Sequence, residues 1–359
     1  KKPSGVWIMA YTTIDSPTNF FRTKTYTGNG GTQSITFDES DNMQPDWVWI
    51  KDRDDGSSHA ITDSVRGNTK YLMSNDTYQE ETITNRITSF DSNGFTLGGN
   101  DGAVNQSGAG NVAWCWKTGT SFTNDASATG VGTIDSTGSV STDAGISIMS
   151  YTGNGSNSAS FAHGLGVKPQ IVLIKNRSTA KNWVYWQDTT GNGTSDIRLV
   201  LNLTNSNYNN YHVTFGTTTI TLGNTDDAWN KSGDNLIAYC FAEKKGYSKF
   251  GNYIGNGNAN GTFVYTGFSP SMVIFKNTAA SQDWVIKDNK RPGFNQVNDV
   301  LYPNGSYAEG HGADIDFLSN GFKCRTTADN TNKSGSAFIY MAFAESSFVN
   351  SSGVPTNAR

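Results

Sequence analysis

Several residue groups in this 359-residue sequence have types and spacings that could support chemistry. Asp52-Arg53-Asp54-Asp55-Gly56 has the spacing of the start of a calcium loop, but the bidentate Glu that should follow is missing. A solvated turn is therefore expected there. The four histidines, His59, His163, His212 and His311, lack ligand spacing such as H-x₃-H, so no metal site is expected. Glycoside hydrolysis needs two carboxylates flanking one bond. Glu243 and Glu345 are candidates by type, yet each closes an Ala-Glu pair after an apolar run, and such duplicated positions point to structure. Lys175, Asn230 and Glu243 recur as Lys276, Asn332 and Glu345, the residue types of an isopeptide cross-link. The Asn-Lys-Ser-Gly stretch is more simply a turn. No Gly-x-Ser-x-Gly elbow, P-loop or dinucleotide fingerprint is present. These readings leave no catalytic residue, no metal and no cofactor.

A binding role has more support. Asn75-Asp76-Thr77-Tyr78, the stretch from Asn202 to Tyr208 and Tyr211, and Asn304-Gly305-Ser306-Tyr307 each combine Asn, hydroxyl residues and Tyr. Tyr with Asn and Ser is the mixture adaptable binding surfaces use, and loops on a rigid scaffold are where such residues sit. Tyr78, Tyr208, Tyr211, Tyr307, Asn75, Asn202 and Asn304 are accordingly the candidate ligand-binding residues. The plainer alternative is a polar turn whose tyrosine lies over a sheet edge.

The elements that would carry these loops follow from composition. The chain has 39 Gly, 38 Asn and 43 aromatics but only 11 Leu and 6 Glu. Good helix formers are scarce, whereas turn formers and residues suited to pleated surfaces abound. An all-β protein is expected. Tyr26-Thr27-Gly28-Asn29-Gly30 recurs at 151–155 and, as Tyr-Ile-Gly-Asn-Gly, at 253–257. Asn105-Gln106-Ser107-Gly108 recurs as Asn-Lys-Ser-Gly at 230–233 and 332–335, so Tyr and Asn stand 79 residues apart in every copy. Between them Pro45, Pro169 and Pro270 each open an apolar run that closes on Lys51, Lys175 or Lys276. Runs apolar on both faces read as central strands. Asn93-Gly94 and Asn320-Gly321 mark hairpin tips.

Three tandem antiparallel β-sandwich repeats of jelly-roll or lectin-like type are therefore expected. Their bounds are 26–118, 145–246 and 247–346, after an N-terminal arm at 1–25 and before a tail at 347–359. The segment 119–144, almost wholly Ser, Thr, Gly, Ala and Asp, reads as a linker. It lengthens the first spacing to 125 residues against 102 for the second, so repeats two and three should pack closely and repeat one stand more apart. Cys115 and Cys240 align with Ala342, and Cys324 with Leu97 and Leu222, which makes the thiols small apolar fillers. By the same alignment His59 substitutes for Trp183 and Trp284.

The net charge of −4 argues against nucleic acid as a partner, and no apolar run approaches the ~20 residues of a membrane-spanning helix. Met9-Ala10-Tyr11-Thr12-Thr13-Ile14-Asp15, Gln44-Pro45-Asp46-Trp47-Val48-Trp49-Ile50-Lys51 and Val112-Ala113-Trp114-Cys115-Trp116-Lys117 resemble the opening of uncharacterised tail or virion structural proteins of tailed, chiefly marine, phages. His163-Gly164-Leu165-Gly166-Val167-Lys168-Pro169 and Phe317-Leu318-Ser319-Asn320-Gly321-Phe322-Lys323 resemble the later repeats of that family. Residues 1–8 precede the position at which many relatives start. The resemblance implies a non-enzymatic virion protein, a tail fibre, appendage or capsid decoration, located on the particle or outside the cell. Its partners would be other virion proteins and host-surface polysaccharide, and by analogy with fibrous phage proteins it would be a homotrimer. The alternatives are a secreted carbohydrate-active enzyme and a purely architectural filament or decoration subunit.

Overall fold

The computed structural model describes residues 12–210 and 212–349. It is an all-β chain of antiparallel sheets, interrupted by two four-residue helices, Ala126–Thr129 and Asp227–Asn230, and one 3₁₀ turn, Pro17–Asn19.

Each sequence repeat contributes one inner sheet in the same strand order. In the first repeat that order is Phe21–Thr27, Gly110–Trp116, Trp47–Asp52, Ala60–Asp63. In the third it is Ser248–Ile254, Ala337–Ser347, Phe268–Asn277, Val285–Asp288. The second repeats the pattern with Ile146–Thr152, Asn235–Phe241, Ile171–Asn176 and Val184–Gln187, and adds Ile197–Val200 on one flank. An outer sheet of three or four strands, built on the expected hairpin, covers one face of each.

The side-chain period of two explains why the central strands are apolar throughout. Val48 and Ile50 face the outer sheet of their own repeat and pack with Ile35, Phe95 and Leu97. Trp47 and Trp49 face the opposite way, into a core that also holds Ile171, Leu173 and Tyr239 of the second repeat and Ile274, Met341 and Phe343 of the third. The inner sheets thus share one aromatic centre. The Trp47 ring stacks on Trp116 with centroids 4.1 Å apart and on Tyr239 at 4.5 Å. This corrects the expectation that the first repeat stands apart.

The expected linker is also corrected. Thr120–Asn124 and Ser136–Ser141 are strands that extend the second repeat's inner sheet to seven. Alternation of small hydroxyl residues with Val140 and Phe122 suits a strand whose one face is covered, a pattern that composition alone hides. The arm likewise gives way to structure early, since the first strand starts at Phe21 and Phe21, Arg22 and Thr23 are buried. Thr12 Oγ1 donates to the Lys245 carbonyl at 2.7 Å, and Ser347 Oγ to that of Ile14 at 3.0 Å, fastening the start of the described chain to the junction of the second and third repeats and to the end of the last long strand.

The two sequence motifs 79 residues apart meet in every repeat. The hydroxyls of Tyr26, Tyr151 and Tyr253 each donate, at 2.7 Å, to the carbonyl of the residue before the motif asparagine. Asn105, Asn230 and Asn332 accept with Oδ1 from the backbone N–H of Asn29, Asn154 and Asn256. Gly28, Gly153 and Gly255 are glycines because a Cβ at each would stand 2.3 Å from the carbonyl oxygen of Gln106, Lys231 or Lys333.

Candidate functional site

The loops carrying the candidate tyrosines lie at the seams between repeats, and the three seams repeat one pattern in cyclic order. Trp183 Nε1 donates to the Met73 carbonyl of the first repeat at 2.7 Å, and Trp284 Nε1 to the Val200 carbonyl of the second at 3.0 Å. His59 Nε2 meets the Tyr302 carbonyl of the third at 3.0 Å. The backbone agrees: Glu80 N–H donates to the Arg177 carbonyl, Asn207 to Thr278 and Glu309 to Arg53. Repeats two on one, three on two, and one on three therefore close head to tail.

Two seams hold buried charge. Arg66 bonds Asp63 at 2.5 Å and reaches Glu80 at 3.4 Å, while Arg177 of the next repeat holds Glu80 at 2.8 Å and Tyr239 donates to Asp63 at 2.7 Å. The equivalent set is Arg291 with Asp288 at 2.7 Å and Glu309 at 2.8 Å, joined by Arg53 to Glu309 at 2.5 Å and by Trp114 Nε1 to Asp288 at 3.0 Å. The third seam puts Gln187, Thr190, Asn207 and Met341 at these places and is neutral. Sequence reading missed the networks, although Asp63-x-x-Arg66 and Asp288-x-x-Arg291 recur at equivalent offsets and could have flagged them.

His59 is part of its seam. Trp49 Nε1 donates to its Nδ1 at 2.9 Å, which leaves Nε2–H to donate to Tyr302. Burial, reinforced by the Lys51 charge, pushes its pKa down to about 3, so the imidazole is neutral in the folded chain. An unfolded histidine binds protons below pH ~6.5 that the folded one refuses, so stability falls as pH drops from there toward 3. An NMR titration should find the His59 ring unmoved between pH 7 and about 4.5; a titration centred near 6.5 would contradict this placement.

The candidate asparagines have structural tasks. Asn75, Asn202 and Asn304 accept with Oδ1 from the backbone N–H of His59, Trp183 and Trp284, at 3.0, 2.8 and 2.8 Å. Their amide groups donate to Ser58, Asn182 and Asp283. Both ends of each side chain are thus bonded within the protein, which gives these asparagines a structural use whether or not a ligand meets them. The tyrosines differ. Tyr78 and Tyr307 are 55% and 65% exposed, while Tyr208 is half-buried with the Arg198 guanidinium 5.1 Å from its ring centre. Tyr211 lies outside the described residues.

The isopeptide trio is not brought together. Lys175 and Lys276 are buried with their ammonium groups donating to backbone carbonyls, Asn230 and Asn332 hold the tyrosine-glycine motif, and Glu243 pairs with Lys249 at 2.7 Å. Burial lowers Lys175 to about 7 and Lys276 to about 8. Cys115, Cys240 and Cys324 are free and buried in the cores between inner and outer sheets, and burial raises the last two thiols to about 12. Among the described residues no group of three or more His, Cys, Asp or Glu is placed to hold a metal ion.

The calcium-like loop holds a buried carboxylate that is only half satisfied. Asp52 Oδ1 accepts from the N–H groups of Asp54 and Asp55, but Oδ2 is buried without a hydrogen-bond partner. The equivalent Asn176 and Asn277 use their amide groups to donate to the carbonyls of Asp227 and Asp329. Burial raises the Asp52 pKa. A carboxyl that holds its proton more tightly when folded detracts from stability above its unfolded pKa and not below it. Asp52→Asn, which restores the donor, should raise stability by about 1–2 kcal/mol at pH 7 and by little near pH 3, measured as urea midpoints at both.

The centre of the aromatic core leaves a cavity of about 20 Å³ lined by apolar side chains of all three repeats, including Trp47, Tyr185 and Phe343. A space that small and apolar stays dry. Depressions of about 400 and 370 Å³ flank the 119–144 segment, the first lined by Ser, Thr, Gly, Val and Phe, the second with Asp135 as its carboxylate. Neither places two carboxylates across a bond.

No curated protein and no solved structure matches the chain. Residues 16–347 match the family model described as a domain of unknown function, DUF7483, a span that takes in all three repeats and the segment between the first two, and the chain belongs to that family.

Proposed function

We propose that this protein is a non-enzymatic structural component of a tailed-phage virion, a tail fibre, appendage or capsid decoration, whose three sandwich modules close into a ring and display tyrosine-bearing loops toward host-surface glycan. The observation that carries this reading is the use made of buried ionisable groups. Asp63, Arg66, Glu80 and Arg177, and their counterparts Asp288, Arg291, Glu309 and Arg53, join one repeat to the next. Groups that an enzyme would keep poised in a cleft here weld modules together. The motif resemblance to phage virion proteins supports the same assignment. Three-part closure is met within one chain and does not call for three copies.

Peptides of the protein should be found by mass spectrometry in purified particles, and antibody against it should label them at one structural position. Tyr78→Ala with Tyr307→Ala should slow adsorption to host cells without lowering particle yield. Absence from particles would overturn the structural assignment, and unchanged adsorption would overturn the seam tyrosines as the display.

A further inference from the structure

The edge strand Phe263–Tyr265 of the third repeat's outer sheet presents Phe263 and Tyr265 on its solvent side, 45% and 52% exposed. Comparison among the repeats shows that the fold does not ask for them. Val264 pairs with Phe322 as Ile35 pairs with Phe95 and Phe161 with Ile220, and all three are buried. The residues flanking that buried position are Ser34 and Thr36 in the first repeat. In the second they are Ser160 and Ala162, where Thr133 and Ile134 close the edge by donating their N–H groups to the Ser160 carbonyl. The third repeat lacks an inserted segment to do this, and its edge strand pairs only with Gly321–Cys324 among the described residues.

A third substitution accompanies the two aromatics. Across from Phe263 stands Lys323, where the other repeats have Thr96 and Thr221. Its ammonium group bonds Asn260 Oδ1 at 2.6 Å and makes no ion pair among the described residues, because Asp316, its other cross-strand neighbour, is paired to Arg325 at 3.3 Å. Gly321, opposite Tyr265, is a glycine because a Cβ there would stand 2.1 Å from the Val264 carbonyl oxygen, as one at Gly94 would stand 1.9 Å from that of Ile35, and the Phe263 ring lies beside it.

We propose that this edge is a binding site for a carboxylated polysaccharide. Side chains two apart on a strand are about 6.6 Å apart, so the rings of Phe263 and Tyr265 offer adjacent platforms for the C–H faces of neighbouring sugars. The unpaired ammonium of Lys323 complements a uronate carboxylate on a protein whose overall charge is −4. The proposal rests on the glycan-display part of the function above and places the contact at this edge in addition to the seams.

Calorimetric titration with alginate oligosaccharides, with dextran oligosaccharides as the neutral probe, tests it. The variant Phe263→Ser with Tyr265→Thr carries the first repeat's own residues at these positions and should fold. The full chain should bind oligoalginate, and the double variant should bind at least about tenfold more weakly. Lys323→Thr should weaken binding and remove its sensitivity to salt up to about 0.5 M. No affinity of the wild type for oligoalginate, equal affinity for dextran, or a double variant that binds as well as wild type would each overturn the site. So would concentration-dependent dimerisation abolished by the double variant, which would assign the edge to strand pairing. If the site fails while Tyr78→Ala with Tyr307→Ala still slows adsorption, glycan display at the seams stands; if both fail, display itself falls.

Discussion

Arg66→Leu is expected to destabilise the protein by about 3–5 kcal/mol, the cost of breaking a buried ion pair from one side. The guanidinium is fully buried between Asp63 and Glu80 and also donates to the Ile61 carbonyl at 3.0 Å. Burial pulls its pKa down, but the neighbouring carboxylates, Asp63 foremost, outweigh that and hold it above its ordinary value. Without it Asp63 keeps the Tyr239 hydroxyl and one backbone N–H but loses its counter-charge. The second repeat shows how the same place can be filled without charge, by Gln187, Thr190 and Asn207. Asp63→Gln with Arg66→Thr and Glu80→Asn should therefore recover most of the loss, because replacing the buried members together costs far less than removing one, and Arg177, at the partly exposed end of the network, keeps its bond to Ser150. Urea midpoints of the wild type, the single variant and the triple variant decide it. A triple variant no more stable than Arg66→Leu would mean that the seam depends on charge in a way the neutral seam does not reproduce.

The all-β class and its turn framework were legible in the sequence because they rest on local signals. Asn93-Gly94 and Asn320-Gly321 sit at real hairpin tips, between 87–91 and 94–97 and between 310–318 and 321–324. The fixed offset from Tyr26 to Asn105 proved to be one hydrogen-bonded clasp written three times. What stayed hidden was non-local. Composition made 119–144 a linker, but Ser and Thr are as much strand residues as loop residues when a neighbouring edge is open to them, as Ile146–Thr152 is. The two-faced apolar strands announced burial on both sides without saying that the second side is another repeat. The asparagines of the tyrosine loops were legible as a recurring type, but the backbone N–H groups they satisfy lie 16 to 20 residues away. Charge at the seams was visible only in the repeated Asp-x-x-Arg spacing, and its partners Arg53 and Arg177 belong to the next repeat in the ring.

Trp47→Ala is expected to cost about 4 kcal/mol, in the range of large aromatic truncations in cores. The indole is 2% exposed and stacks on Trp116 and Tyr239, so its removal strips contacts from two repeats at once. It also lines the central 20 Å³ cavity, and the space it leaves would merge with that void. Packing that collapsed to fill it would have to move three inner sheets together, and each of these is held together by its own strand pairing. The same geometry predicts how the protein melts. If the inner sheets share one core, loosening it must loosen all three repeats, and unfolding should remain a single transition at lower denaturant. Hydrogen exchange can follow each repeat separately, with Cys115, Cys240 and Phe338 as buried strand residues reporting the first, second and third. Protection at all three should fall in parallel in Trp47→Ala. Protection kept at Cys240 and Phe338 while Cys115 opens would mean instead that the first repeat behaves as a separate unit, as its longer sequence spacing suggests, and that the aromatic centre is a contact surface between units that fold independently.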